Sequence, residues 1–273
     1  MTASANDHAA RFRRLHAPGE LLLLPNCWDA ASARVIEACG ASAMATTSAG
    51  LAWSRGYPDG DLLPLRNLVQ AVAEIARVLS VPLTVDIEGG YSAEPAIVAE
   101  TITAVVDAGA VGINIEDGTA APELLCAKIE ASRTAAQRAG VDLFINARTD
   151  VFLRGLVPPA QSVPTTIERA RLYRAAGCDG VFVPGATDPD AIHALAAAIA
   201  LPLNVMIVPT LPPPAQLREL GVRRASAGAA IAQAAYGLAR RAATRLLDQG
   251  DYGAMFEAPV TYGEMNGLLA TRG

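Results

Sequence analysis

Asp86 and Glu88 stand two residues apart in the run VPLTVDIEGGYS, immediately before paired glycines. Residues i and i+2 of a strand face the same side, about 6.6 Å apart, so this β-forming run ends by aiming two negative charges one way. The spacing recurs. Asn114 and Glu116 share a face of INIED, Asn146 and Arg148 share one of INARTD, Thr46 and Ser48 end another run, and Asn204 lies in LNVM. Asp59 joins them from the glycine-punctuated stretch RGYPDGD. If these ends converge, Asp59, Asp86, Glu88 and Glu116 place up to four negative charges in a small volume, and unpaired buried carboxylates are too costly to stay ionised. A hard divalent cation resolves the conflict. Mg²⁺ takes oxygen ligands and keeps several waters, so one or two carboxylates would bind it directly and the others would hold its waters. Without nearby His or Cys ligands, Mg²⁺ or Mn²⁺ is expected rather than zinc.

A metal beside an arginine suits a small anionic ligand. A 2-oxo acid chelates Mg²⁺ through its keto and carboxylate oxygens, and the metal then polarises the carbonyl. Arg148 could grip a second carboxylate or a phosphonate in bidentate fashion, while Ser48, Gly50 and Leu51 could offer hydroxyl and backbone N–H groups. The competing reading is structural: carboxylates that protect an edge strand, or ion pairs with Arg148. The repetition of polar pairs at equivalent strand ends favours a site.

Positioning such groups requires a parallel sheet. Eight β-like runs can be read, at 21–27, 42–48, 83–88, 111–117, 143–149, 180–185, 203–208 and 223–228. Helical patterns fill most intervals, at 65–79, 95–108, 124–139, 165–176 and 188–198. Gly109, Gly140 and Gly177 stand where helices must stop. Repeated strand–helix units in this length predict a closed (β/α)₈ barrel, an α/β TIM barrel with catalytic groups at the C-terminal strand ends. The irregular stretch 50–64 reads as an active-site loop. Residues 1–273 read as one barrel domain whose final segment, 250–273, forms a tail packing on the barrel or on a neighbouring subunit.

Composition narrows the class. The 273 residues are 52% hydrophobic but only 5% aromatic, with a net charge of −5. Nucleic acid is not expected as a partner, since Arg11-Phe12-Arg13-Arg14 reads as ordinary solvated surface. Four scattered cysteines without CxxC pairing suggest reduced thiols. Neither a secretory leader nor a membrane span is read, and a cytoplasmic location is expected. His16 reads as a surface or turn residue, His193 as solvated, and Cys27 and Cys126 as packing residues. Ser226-Ala227-Gly228 is a weak phosphate-site pattern.

These residues, from about 15 to 251, resemble the isocitrate lyase/phosphoenolpyruvate mutase superfamily. LPNCWDAASARVIEACG resembles its first strand and helix, TTSAGLAWSRGYPD its substrate loop, INIEDG its Ile-Glu-Asp strand end and NARTD its arginine strand. DIEGGYS stands where the family usually shows Asp-x-Asp-x-Gly-[Tyr/Phe]-Gly. The resemblance implies a barrel assembled as a homodimer or homotetramer, with a terminal helix exchanged between subunits. It implies Mg²⁺ at Asp86, with Asp59, Glu88 and Glu116 around it directly or through water. It further implies substrate contacts from Ser48, Gly50, Leu51, Asp86, Arg148 and Asn204, and catalytic roles for Asp59, Glu116 and Arg148. Family reactions make or break a C–C or C–P bond beside a pyruvate-like group.

The departures matter. Family lyases carry a Lys-[Lys/Arg]-Cys-Gly-His loop after the fourth strand, whose cysteine donates a proton; here that stretch reads GTAAPELLCAKIEASR. The phosphonate enzymes' loop residues are absent too, with Thr119 a thin substitute. Gly185 stands where lyases commonly carry a substrate-binding Glu, and Glu88 lengthens one arm of the metal site. The expected function is therefore a metal-dependent C–C lyase or decarboxylase acting on a small 2-oxo or 2-hydroxy di- or tricarboxylate. Phosphonopyruvate-type C–P chemistry, or non-catalytic binding of a metal–2-oxo-acid complex such as 2-oxoglutarate, are the alternatives.

Overall fold

The computed structural model describes residues 4–270. Helix α1 (Ala5–Arg14) precedes strands β1 (Leu22–Leu24) and β2 (Asn26–Cys27) and helix α2 (Ala30–Ala38). Then come β3 (Met44–Thr46), α3 (Ser48–Ser54), α4 (Leu65–Val78), β4 (Leu83–Asp86), α5 (Pro95–Asp107), β5 (Gly112–Glu116) and α6 (Pro122–Arg138). The second half holds β6 (Phe144–Arg148), α7 (Pro159–Ala175), β7 (Gly180–Phe182), α8 (Pro189–Ala198), β8 (Leu203–Met206), α9 (Pro214–Glu219), β9 (Arg224–Ser226), α10 (Ala230–Gln249) and α11 (Tyr262–Ala270).

All strand pairs are parallel, in the order β1-β9-β8-β7-β6-β5-β4-β3-β2. The expected first strand, 21–27, is broken by Pro25, which has no N–H to give the ladder. Its first half pairs with β9 and its second with β3, so one chain segment joins both edges of the sheet. Nine short strands thus build the nearly closed barrel expected from eight. Pro95, Pro122, Pro159, Pro189 and Pro214 open their helices, at a position where the missing N–H costs nothing and φ is already helical. This also moves two expected starts: α6 begins before 124, and α7 begins before 165 and carries Pro164 in its interior. Gly109 is required by its φ of +110° and by its approach to Ala76, whose Cβ would lie 2.7 Å from an added methyl.

The larger apolar core fills the layer between the sheet and its helices, and takes in Cys27. A second cluster lies inside the barrel: Leu22, Leu24, Ala43, Ala45, Val111 and Phe144, closed from below by Ala9 and Phe12 of α1. The expectation of a solvated Arg11–Arg14 stretch therefore holds for Arg14 but fails for Phe12 and Arg13. Phe12 is fully buried, worth about 2–3 kcal/mol, and Arg13 pairs with Asp142 and Asp179. His16 is likewise no surface residue. It is buried, its Nδ1 lies 2.9 Å from the Phe12 carbonyl, and its ring stacks on Phe144 at 4.3 Å. His193 is exposed on α8, as expected. At the other terminus, Arg34 Nε of α2 donates to the Leu268 carbonyl of α11 at 2.9 Å, so this part of the tail packs on the chain's own barrel. Residues 271–273 lie outside the described residues. Among the described residues no helix is long and apolar enough to cross a membrane.

Burial, and then the Arg224 charge, pull the His16 pKa down from 6.5 to about 3. Between those values the unfolded chain takes up a proton that the folded chain refuses, so stability from the neutral ring is present above pH 6.5 and is lost as pH falls. By pH 5 the loss is about 2 kcal/mol. His16→Phe should therefore unfold with a shallower pH dependence than the parent between pH 7 and 5, measured by urea titration. Equal slopes would contradict this account of the barrel floor.

Candidate active site

The strand register sets the rim. Asp86 lies opposite Asn114, Asn114 opposite Asn146, and Glu116 opposite Arg148. Asn146 Nδ2 donates to Asn114 Oδ1 at 2.9 Å, which ties β5 to β6 inside the barrel. Above that bond, Arg148 Nη1 meets Glu116 Oε2 at 2.6 Å. Behind it, Arg148 Nε and Nη2 donate to the two oxygens of Asp150 at 2.7 and 3.1 Å. Asp150 is fully buried and also accepts from Arg154 Nε. Its own N–H donates to Asp117, whose other oxygen takes Arg169 and the Tyr173 hydroxyl. Arg148 is thereby held by groups that are themselves held. Two of its N–H donors are spent on Asp150 and Glu116 is held as an ion pair, which leaves N–H groups on the outer guanidinium edge for a ligand.

Asp86 ends β4. Its N–H donates to Thr46 Oγ1 at 2.9 Å, and its Oδ1 accepts the Glu88 N–H at 3.1 Å. The expected same-face pairing of Asp86 with Glu88 is not formed, because the strand stops at Asp86 and Glu88 turns to a φ of +50°. Strand alternation no longer applies there. The Glu88 side chain runs instead to the loop after α3, where Oε2 accepts the N–H groups of Gly60 and Asp61 at 2.8 and 2.5 Å. Asp61 and Tyr91 also have left-handed backbones, with φ of +57° and +62°. Three such non-glycine residues at one place cost on the order of 1–3 kcal/mol each, which their mutual hydrogen bonds must offset.

The other expected residues divide. Ser48 does not end a strand; β3 stops at Thr46, and Ser48 is the first residue of α3, capped by Thr47. Leu51 is fully buried in the core, and its N–H already donates to the Thr47 carbonyl. Gly50 seats α3: an added methyl would lie 2.7 Å from Thr47 Cγ2 and 2.8 Å from Trp28 Cβ. Its N–H reaches Thr47 Oγ1 at 3.4 Å. The backbone donors expected at Gly50 and Leu51 are thus taken up by the helix itself. Asn204 is buried; its Oδ1 accepts from Ser226 Oγ, while its Nδ2 has no hydrogen-bond partner among the described residues. The Gly228 N–H donates to Asn26 Oδ1, so the Ser226–Gly228 turn serves barrel closure.

Sequence reasoning missed four contributors: Asp61, Asp150, Lys128 and Arg224. Lys128 had a visible signal, since it shares the buried face of α6 with Leu125, Ile129 and Ser132; its Nζ donates to the Gly89 carbonyl at 2.6 Å. Arg224, in β9, is 1% exposed, donates to Asn114 Oδ1 at 3.1 Å, and keeps Nε and Nη1 unpartnered among the described residues. Burial pulls its pKa down to about 9, opposed by the charge of Asp86.

Do these residues suit a metal? Among the described residues, no three His, Cys, Asp or Glu side chains gather closely enough to cage an ion alone. The donors are nonetheless all oxygen and short of positive charge. Burial foremost raises the Asp86 carboxyl, lifts Glu88 to about 7 and Glu116 to about 8, and neighbouring carboxylates add to each shift, Asp59 among them for Asp86 and Glu88. A hard divalent ion held by one or two carboxylates, and through its waters by others, fits that set. A four-carboxylate cage does not.

The family model described as phosphoenolpyruvate phosphomutase matches residues 12–247. An uncharacterized protein of Mycobacterium tuberculosis is 38% identical over 262 residues, covering 94% of this chain and 95% of its own. A crystal structure from Burkholderia cenocepacia, provisionally named a phosphonomutase, superposes with a TM-score of 0.83 at 42% identity, over 91% of this chain and 100% of that one. An oxaloacetate decarboxylase of Paraburkholderia xenovorans is 30% identical over 234 residues, 80% of this chain and 75% of its own. With the barrel, its acid-rich rim and a match along most of its length in agreement, the chain belongs to the phosphoenolpyruvate mutase/isocitrate lyase superfamily.

Proposed function

We propose that the chain is a Mg²⁺- or Mn²⁺-dependent enzyme that breaks a carbon–carbon bond in a small 2-oxo or 2-hydroxy di- or tricarboxylate, with decarboxylation of a 2-oxo acid its foremost reaction. The observation that carries this reading is Arg148, fixed between Glu116 and Asp150 beside Asp86. It supplies a pre-oriented anion fork next to carboxylates short of positive charge, at the barrel end where such enzymes work.

The bound ion would supply Lewis acidity for a keto oxygen and for the charge left as a bond breaks. Asp86 would hold it, with Glu116 and Asp59 holding its waters. Arg148 would grip the distal carboxylate with the N–H groups not spent on Asp150 and so orient the scissile bond. The segment between β5 and α6 is only 117–121, too short to fold over the mouth, and Cys126 sits inside α6. The one carboxyl there, Asp117, is tied to the Asp150 N–H, Arg169 and Tyr173, so water would protonate the product. That suits loss of CO₂ better than retro-aldol cleavage, which needs both a base and an acid. Gly185 supports the same choice. Its φ is +87°, and a side chain there would meet the Leu153 backbone nitrogen at 2.9 Å, so the lyases' glutamate cannot be accommodated. The likeness to a 30% identical oxaloacetate decarboxylase points the same way. The 42% identical Burkholderia structure favours C–P chemistry as the second reading.

We also propose a homodimer or homotetramer. Leu247, Tyr252, Phe256 and Tyr262 of the C-terminal segment are large apolar side chains left exposed, the kind of surface that subunit contacts cover.

Incubation with oxaloacetate, isocitrate, 2-methylisocitrate, a dimethylmalate and phosphonopyruvate, followed by proton and phosphorus NMR, tests the reading. We expect pyruvate from oxaloacetate above the metal-only rate, abolished by a chelator. Phosphate release from phosphonopyruvate would establish the second reading instead, and metal-dependent binding without product would make the protein a binder. A second expectation concerns the fork: Arg148→Lys keeps the charge and loses the planar donor pair, so KM for the dianion should rise about tenfold or more. An unchanged KM in initial-rate measurements would remove Arg148 from the anion site.

A further inference from the structure

We infer that Glu88 is a positioning residue rather than a metal holder: it clasps the loop 55–63 onto the turn after β4 and thereby sets Asp59 over the barrel mouth. The inference deepens the reading above and rests on it only for the importance of Asp59. The clasp itself stands on geometry.

Two carboxylates are exchanged between segments far apart in sequence. From the turn, Glu88 Oε2 accepts the N–H groups of Gly60 at 2.8 Å and Asp61 at 2.5 Å, while Oε1 accepts the Tyr91 hydroxyl at 3.3 Å. From the loop, Asp61 returns the contact: its Oδ1 accepts the Tyr91 N–H at 3.3 Å. Gly89 permits this closeness, because an added methyl would lie 2.9 Å from Asp61 Oδ2. Lys128 fixes the turn from behind through the Gly89 carbonyl. The three left-handed residues, Asp61, Glu88 and Tyr91, each donate or accept across this junction. Their strained backbones are what the reciprocal bonds require.

Length decides the assignment. An aspartate at 88 would withdraw its carboxylate by about 1.5 Å, one carbon–carbon bond, taking the Gly60 and Asp61 donors out of hydrogen-bonding range. The extra methylene is therefore used to reach the loop, and both Glu88 oxygens are occupied by protein donors. Asp59 immediately precedes the two clasped N–H groups, and its charge is felt at Asp86 and Glu88. Release of the clasp would let this loop swing away and open the mouth to substrate.

The test is amide hydrogen exchange of the ligand-free full chain, read over 55–63, beside a Mn²⁺ titration. Glu88→Ala and Glu88→Asp should each speed exchange at Gly60 and Asp61 by about tenfold or more, with the barrel strands unchanged and Mn²⁺ affinity within about threefold of the parent. Glu88→Gln keeps one acceptor oxygen at full reach and should restore most of the protection. Should Glu88→Ala not fold, Asp61→Ala, which removes the returning half, carries the same exchange expectation. Unchanged exchange in Glu88→Asp, or a large loss of Mn²⁺ affinity without change in the loop, would overturn the clasp. Failure of Mn²⁺ to bind any variant, parent included, would sink the metal reading and leave the exchange result to decide the clasp alone.

Discussion

Negative charge accumulated at one rim, and only partly answered, is the constraint around which the molecule is organised. Asp86, Glu88, Glu116 and Asp150 are all wholly or largely buried near the C-terminal ends of β4, β5 and β6. Each uncompensated buried charge costs several kcal/mol. Arg148 answers Glu116 and Asp150, backbone N–H groups answer Glu88, and Arg224 opposes Asp86 from below. What remains unanswered surrounds Asp86. That residual is the physical reason to expect a cation there, and it makes the rim a poor place for a purely structural ion-pair network.

The scaffold serves this arrangement from both ends. Phe12, His16 and Phe144 seal the barrel floor with an apolar stack, which removes water from beneath the polar middle layer. That layer, Asn114 with Asn146 and Arg224, then sits in a low-dielectric setting where hydrogen bonds and charges weigh more. Above it, Arg148 is backed by Asp150, and Asp150 by Asp117 with its own arginine and tyrosine. The fixed side of the mouth is β5 and β6. The opposite side is the loop after α3, joined to the turn after β4 through Glu88 and Asp61.

Much of this was legible in the sequence because parallel strands and helices write simple periods. The pairs Asn114/Glu116 and Asn146/Arg148 landed on the inward face in mutual register, as alternation requires. Alternation failed where the backbone left the strand region. Glu88 was read as a strand residue, yet the following glycines signalled a turn, and the left-handed φ redirected its side chain. Pro25 was visible as a strand breaker, but that it would divide one strand between two sheet edges depends on barrel closure, a non-local fact. His16 and Arg13 looked solvated because no local pattern reveals that α1 plugs the barrel. Arg224 lay hidden in an Arg223-Arg224 pair, of which only the second faces inward. Metal, substrate contacts and assembly rest on a resemblance and on chemistry, not on periodicity.

The most direct test of the central claim is a Mn²⁺ titration followed by electron paramagnetic resonance, with and without oxalate, a planar dicarboxylate chelator, on the parent chain and on Asp86→Asn. The account predicts one Mn²⁺ site per chain in the parent, tightened by oxalate, and at least about a hundredfold weaker in Asp86→Asn, since a charged ligand is replaced by a neutral one. Equal Mn²⁺ binding by the two proteins, or no binding by the parent, would contradict it.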